Sequence, residues 1–230
     1  MGEKRNGFMQ KLNRVVPAWG WAPVVICLVF HLFTFYATRL INAGFTHHEV
    51  EVGLDAVIPL WTPAILFYIS AYAQWAVCLF TFARAERETC WALFGADLIA
   101  KVFCLILFLA YPTFTVRPEI TGNGIFDQLT RLIYSMDSPD NLFPSLHVEA
   151  SWLCFRGMLK LKTVSRRANV FNGVLTVLIC LSILFVKQHL FLDLIGGVLV
   201  VELGLLLEKP LRISRMYARL EQLVLRRAGV

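Results

Sequence analysis

Six apolar runs, each near the length of a bilayer span, constrain this chain more than any other feature. A span takes about 20 predominantly apolar residues, and the runs lie at about 22–41, 57–82, 90–111, 145–161, 169–186 and 189–208. Of the 230 residues, 57% are hydrophobic and only 17% are charged, against roughly a quarter in average soluble chains. The run 145–161 is short and interrupted by polar residues. No small-residue cleavage site follows 22–41, so that run reads as a retained anchor. No linker, heptad pattern or internal repeat divides the chain. The expected fold class is an all-α integral membrane protein, one domain over 1–230, with six transmembrane helices.

The 22 Lys and Arg residues are distributed unevenly along that frame. In a six-span chain Lys4, Arg5, Lys11, Arg14, Arg84, Arg87, Arg156, Lys160, Lys162, Arg166, Arg167 and the basic tail from Lys209 onward share one face. The other face holds Arg39, Arg117, Arg131 and Lys187, and Lys101 falls inside a span. This is the positive-inside pattern. It places both termini in the cytoplasm and explains the formal charge of +6 without nucleic acid. Membrane lipids are the expected partners.

Two segments outside the spans read as amphipathic. In the tail 209–230, Ile213, Met216, Tyr217, Leu220, Leu223 and Val224 recur at helical spacing. That pattern fits a helix lying on an anionic leaflet or a plain charged cap. In the outer connection 112–144, Ile125, Phe126, Leu129, Leu132 and Ile133 form a stripe that predicts a short interfacial helix. Cys27, Cys78, Cys90, Cys104, Cys154 and Cys180 lie in or beside apolar runs with no CxxC, and read as buried hydrophobes. His47, His48, Glu49, Glu51 and Asp55 read as a solvated loop sooner than a metal site.

Ionisable groups at membrane depth raise a functional question by default. In NLFPSLHVEASW, 141–152, Pro144 is suited to the first turn of the fourth span. The N–H groups of Ser145, Leu146 and His147 then face outward without helical acceptors, an arrangement that attracts anions and phosphate above all. The competing reading of Ser145 and His147 is a helix cap with a snorkelling histidine. In KQHLFLDLIGG, 187–197, His189 and Asp193 are one helical turn apart. A carboxylate accepting from one ring nitrogen makes the other a better nucleophile or base; a structural pair is the alternative. Lys187 adds a cation. The fourth and sixth spans both begin at the outer face, so His147 and His189 can meet at one depth. Arg117 suits bidentate phosphate binding or interfacial anchoring. Asp97 and Lys101 read as a structural ion pair. His31, Gln74, Glu149 and Glu202 carry no assigned role.

Arg117-Pro118, PSLH at 144–147 and HLFLD at 189–193, in this order and sidedness, resemble the type 2 phosphatidic acid phosphatase superfamily. The resemblance covers nearly the whole chain. It implies a metal-independent enzyme without cofactor that cleaves phosphomonoester or pyrophosphate bonds of lipids through a histidine nucleophile. By that resemblance His189 is the nucleophile, Asp193 its orienting carboxylate, and His147 the general acid and then base. Ser145 and Arg117 correspond to phosphate clamps, and Lys187 is a candidate replacement cation.

The chain departs from the family's signatures at three points. Ala110 stands where Lys is expected, Leu146 replaces Gly, and Ser182-Ile183 stands for Ser-Arg. The FPSLH form and the missing Arg are similar to the inositol phosphorylceramide and sphingomyelin synthase branch, which transfers a phospho-headgroup to a lipid alcohol. The expected function is a lipid-phosphate phosphatase at the outer face of a membrane, in keeping with a bacterial inner membrane. A headgroup phosphotransferase is the alternative, with a transporter or a haem or metal binder using His31, His147 and His189 more distant. Sequence leaves the lipid and the oligomeric state open.

Overall fold

Four segments are long and apolar enough to cross a membrane: Ala18–Asn42, Thr62–Ala83, Arg87–Ala110 and Arg166–Phe185. The structure, a computed structural model, describes Asn13 and residues 15–228, with side chains as far as Leu223. Lys4, Arg5, Lys11 and Arg14, and the side chains of Val224, Arg226 and Arg227, lie outside the described residues. Among the described residues the chain forms nine α-helices and two very short strands. In order these are α1 (Ala18–Asn42), β1 (His48–Glu49), α2 (Gly53–Val57), α3 (Ile65–Ala83), α4 (Arg87–Ala110), β2 (Thr113–Phe114), α5 (Ile125–Met136), α6 (Leu146–Met158), α7 (Arg166–Phe185), α8 (Phe191–Leu211) and α9 (Ser214–Ala228). A 3-10 turn, Thr62–Ala64, leads into α3.

Helix α1 shows why a bilayer suits this chain. Leu28, Val29, Leu32, Phe33, Tyr36 and Leu40 stand exposed along it, an apolar surface that water would not tolerate over such an area. Pro23 lacks the N–H that would bond the Trp19 carbonyl. The indole of Trp91 on α4 donates there instead, at 3.2 Å.

Two of the six apolar runs become helices of a different kind. Helix α6 has 13 residues, about 20 Å at 1.5 Å per residue, short of a hydrocarbon core of about 30 Å. Helix α8 has 21 residues but carries Asp193, Glu202, Glu208 and Lys209. Helix α6 packs against α3, α4, α7 and α8, and much of it is buried.

The crossing of α6 and α8 depends on Gly197. A Cβ there would lie 2.7 Å from Val148 Cβ and 2.8 Å from the Ser145 carbonyl oxygen. Only hydrogen fits, so α8 approaches the first turn of α6 and Ser145 N donates to the Asp193 carbonyl at 3.1 Å.

The loops at this end are tied together. Strands β1 and β2 pair in parallel, His48 opposite Thr113. Thr113 Oγ1 accepts from Leu142 N (3.0 Å) and Phe143 N (2.9 Å). Asn42 at the end of α1 bonds Asn141 Oδ1 (3.2 Å) and the Phe108 carbonyl (2.7 Å). Helix α5 forms where the stripe predicts it. Phe126, Leu129 and Ile133 pack inward, whereas Ile125 and Leu132 stay exposed. In the tail, Tyr217 is buried against α4, its hydroxyl donating to the Phe94 carbonyl at 3.3 Å. Met216 and Leu220 pack beside it and Leu223 is exposed.

Candidate active site

The His189 turn is built by backbone bonds. Gln188 N and His189 N both donate to the Ile183 carbonyl, at 2.9 and 3.2 Å, and Lys187 takes the left-handed conformation, φ 51°. This closes α7 in the manner of a left-handed cap, then starts α8 two residues after His189. Leu190 N donates to Asp193 Oδ2 at 2.8 Å and Phe191 N to Asp55 Oδ1 at 2.8 Å. The same Asp193 oxygen lies 3.3 Å from His189 Nδ1. Asp193 therefore caps its own helix and orients His189 at once. A carboxylate acceptor fixes the hydrogen on Nδ1 and leaves Nε2 with its lone pair. Asp193 is fully buried and its Oδ1 has no partner.

His147 lies on the first turn of α6 in an aromatic cage. Its ring stacks on Tyr68, centroids 4.1 Å apart, with Trp75 edge-on at 4.5 Å and Tyr72 at 5.7 Å. Trp75 is itself held by α6, its indole donating to Ser151 Oγ at 2.8 Å. His147 Nε2 lies 3.3 Å from the Tyr68 carbonyl. A carbonyl only accepts, so Nε2 carries the hydrogen and Nδ1 remains for proton exchange.

The two histidines line one cavity of about 240 Å³, together with Tyr68, Tyr72, Trp75, Ile133, Asp137 and Asp140. His31 of α1 lines it too, a match in depth that the sequence did not reveal. Among the described residues no group of three or more His, Cys, Asp or Glu is placed to hold a metal ion. A second cavity of about 360 Å³ reaches His189 beside Arg117, Lys187, Thr115, Glu51 and Asp55. His189 thus stands between an aromatic chamber and a polar one.

For Ser145 the structure shows the capping arrangement, the competing reading from sequence. Ser145 is the N-cap of α6, not a residue inside a helix begun by Pro144, and its Oγ accepts from Val148 N at 3.3 Å. Its own N–H is taken by the Asp193 carbonyl. With the hydroxyl buried and capping, Ser145 joins α6 to α8, and Leu146 N and His147 N are the first-turn donors left over.

The two cations are largely engaged. Arg117 Nη1 donates to the Asp137 carbonyl at 2.5 Å, Nη2 bonds Gln188 Oε1, and the guanidinium sits 4.8 Å from the Tyr134 ring centroid. Its Nε has no partner. Burial lowers its pKa from the ordinary arginine value, against the opposing field of Asp137. Burial likewise raises Asp137 above the usual carboxylate range, although His189 and Arg117 pull it down. Lys187 Nζ donates to the Asp55 carbonyl at 2.8 Å.

Glu149 finds its partner two residues beyond His147. Lys101 of α4 pairs with Asp97 and lies 3.4 Å from Glu149 Oε1, all three buried. The ammonium thus locks the first turn of α6 to α4.

Asp55 and the cage residues Tyr68, Tyr72 and Trp75 were not singled out by sequence. Asp55 lay among five polar loop residues with nothing to separate it. The cage read as ordinary span residues, though aromatics three and four apart on α3 mark one helical face. No protein-family model matches the chain, and searches of curated proteins and of solved structures return no match.

Proposed function

We propose that this chain is an integral membrane lipid-phosphate phosphatase working through a phosphohistidine. The observation that carries the reading is the oriented His189–Asp193 pair opening on the same cavity as His147. In the proposed reaction His189 Nε2 attacks phosphorus and the bond to the lipid oxygen breaks. That oxygen takes the Nδ1 proton of a protonated His147, which keeps its Nε2–H on the Tyr68 carbonyl. Water then gives a proton to His147 and attacks the phosphohistidine; the P–N bond breaks and phosphate leaves. Arg117 and Lys187 face the polar chamber from which water enters and phosphate departs. The proposal includes six spans, with α6 and α8 completing the four apolar ones. It also includes α5 at the outer interface, cytoplasmic termini, and a site open to the outside of a bacterial inner membrane.

One observation favours a second reading, transfer of a phospho-headgroup to a lipid alcohol. Both Arg117 Nη atoms and Lys187 Nζ donate to the protein, and Asp137, Asp140, Asp55 and Glu51 line the two cavities that His189 faces. Such a field tolerates the single charge of a phosphodiester better than a monoester dianion. Purified protein in EDTA, given lipid monoesters, diphosphates and phosphodiesters with a lipid alcohol, separates the two. Free phosphate from a monoester supports hydrolysis, headgroup transfer without free phosphate supports the second reading, and neither product rejects both.

A further inference from the structure

An apolar groove of about 290 Å³ adjoins the histidine cavity. His31, Tyr72 and Trp75 wall both spaces, so the groove lies directly beside the histidine cavity, with only these side chains between them. Its wall on α3 runs from Tyr72 to Phe82, ten residues or about 15 Å at 1.5 Å per residue. It runs away from the histidines toward the end where α3 turns into α4. Leu79 and Phe82 of α3, Leu93 and Phe94 of α4 and Leu153 of α6 supply the apolar surface. The acid and the base on its wall, Asp97 and Lys101, are paired with each other.

We infer that this groove receives one long alkyl chain of the substrate, so that the site selects its lipid by a single chain held inside the protein. The inference rests on the proposed phosphoryl-transfer reading, because a phosphate at His189 fixes where the chain starts. A lipid so bound points its headgroup to the loop end and its chain down the bundle, the direction in which the groove extends. One groove takes one chain, and the second chain of a diacyl lipid stays outside.

The test uses alkyl phosphates of increasing length, kept monomeric in water, with amphipol-solubilised protein. Each methylene that enters the groove should raise kcat/KM about four-fold, from about 0.8 kcal/mol per buried methylene, until the groove is full and the gain stops. Ala76→Phe and Ala150→Phe, both on the groove wall, should stop the gain at shorter chains and leave the rate on the shortest substrate unchanged. Profiles in both variants that match the wild type overturn the inference. A parallel arm uses an alkyl phosphate with a diazirine at the chain end. Labelling of Leu79, Leu93 or Leu153 supports the groove; labelling confined to the exposed face of α1, at Val29 and Leu40, overturns it. If no substrate is turned over, the functional reading fails and the labelling alone decides the groove.

Discussion

Replacing Lys101 by methionine tests the packing of the site without assuming any activity. Lys101 pairs with Asp97 and with Glu149 at 3.4 Å, and its side chain is 2% exposed beside carboxylates at 4% and 0%. Lys101→Met keeps the length of the side chain and removes its charge, leaving two carboxylates buried without a counter-ion. Breaking a buried pair in this way costs about 3–5 kcal/mol. At about 2–4 °C per kcal/mol for a chain of this size, the melting temperature should fall by roughly 6–20 °C. Glu149→Gln, which removes one charge and leaves the Lys101–Asp97 pair, should cost less. The double variant should be more stable than Lys101→Met alone, because one buried carboxylate is gone, with a coupling of about 0.5–3 kcal/mol. Thermal unfolding in one detergent, measured for the wild type, both singles and the double, gives the cycle. A Lys101→Met protein within about 0.5 kcal/mol of the wild type, or strictly additive losses, would mean that Lys101 does not hold the two carboxylates in place.

Two further predictions concern the crossing and the loop end. Gly197→Ala puts a Cβ 2.8 Å from the Ser145 carbonyl and should force α8 off the first turn of α6. It should cost about 1–3 kcal/mol of overpacking and, on the proposed function, up to about a hundred-fold in rate; unfolding and turnover of one preparation check both. Asp127 accepts from the Thr62 hydroxyl at 2.7 Å and from Gly124 N at 3.0 Å, which together lower its pKa. Its contribution is complete above the ordinary aspartate range and is lost as pH falls through the depressed folded value. Asp127→Asn should therefore lower the melting temperature at neutral and alkaline pH and flatten the acid side, so that the two proteins converge at low pH, as melting temperature against pH will show.

The long apolar helices were legible in the sequence because span length and hydropathy need no knowledge of neighbours. Boundaries were less so. The apolar run 169–186 missed the first turn of α7, which begins at Arg166 because Ser165 Oγ caps Ala168 N at 3.2 Å. The pairing of His189 with Asp193 followed from four-residue spacing, and the shared chamber with His147 from the order of the spans. Ser145 could be read as clamp or cap, and its contact with Val148 N makes it a cap. What sequence did not expose were contacts between distant segments. Asp55 reaches Phe191 across 136 positions, Lys101 reaches Glu149 across 48, and Tyr68 lies under His147 across 79. Such meetings depend on how helices cross, as where Gly197 lets α8 approach Ser145 and Val148.

On the proposed function, His189 accepts the phosphoryl group. The direct measurement is an acid-free quench of protein turning over a lipid phosphate labelled in its phosphate, followed by peptide mapping. An acid-labile, alkali-stable label is expected on the peptide containing His189. The label should be absent in His189→Ala, and in His147→Ala any label that forms should persist longer than in the wild type, because the water-activating base is missing. Label on His147, or turnover by His189→Ala at the wild-type rate, would contradict that role of His189.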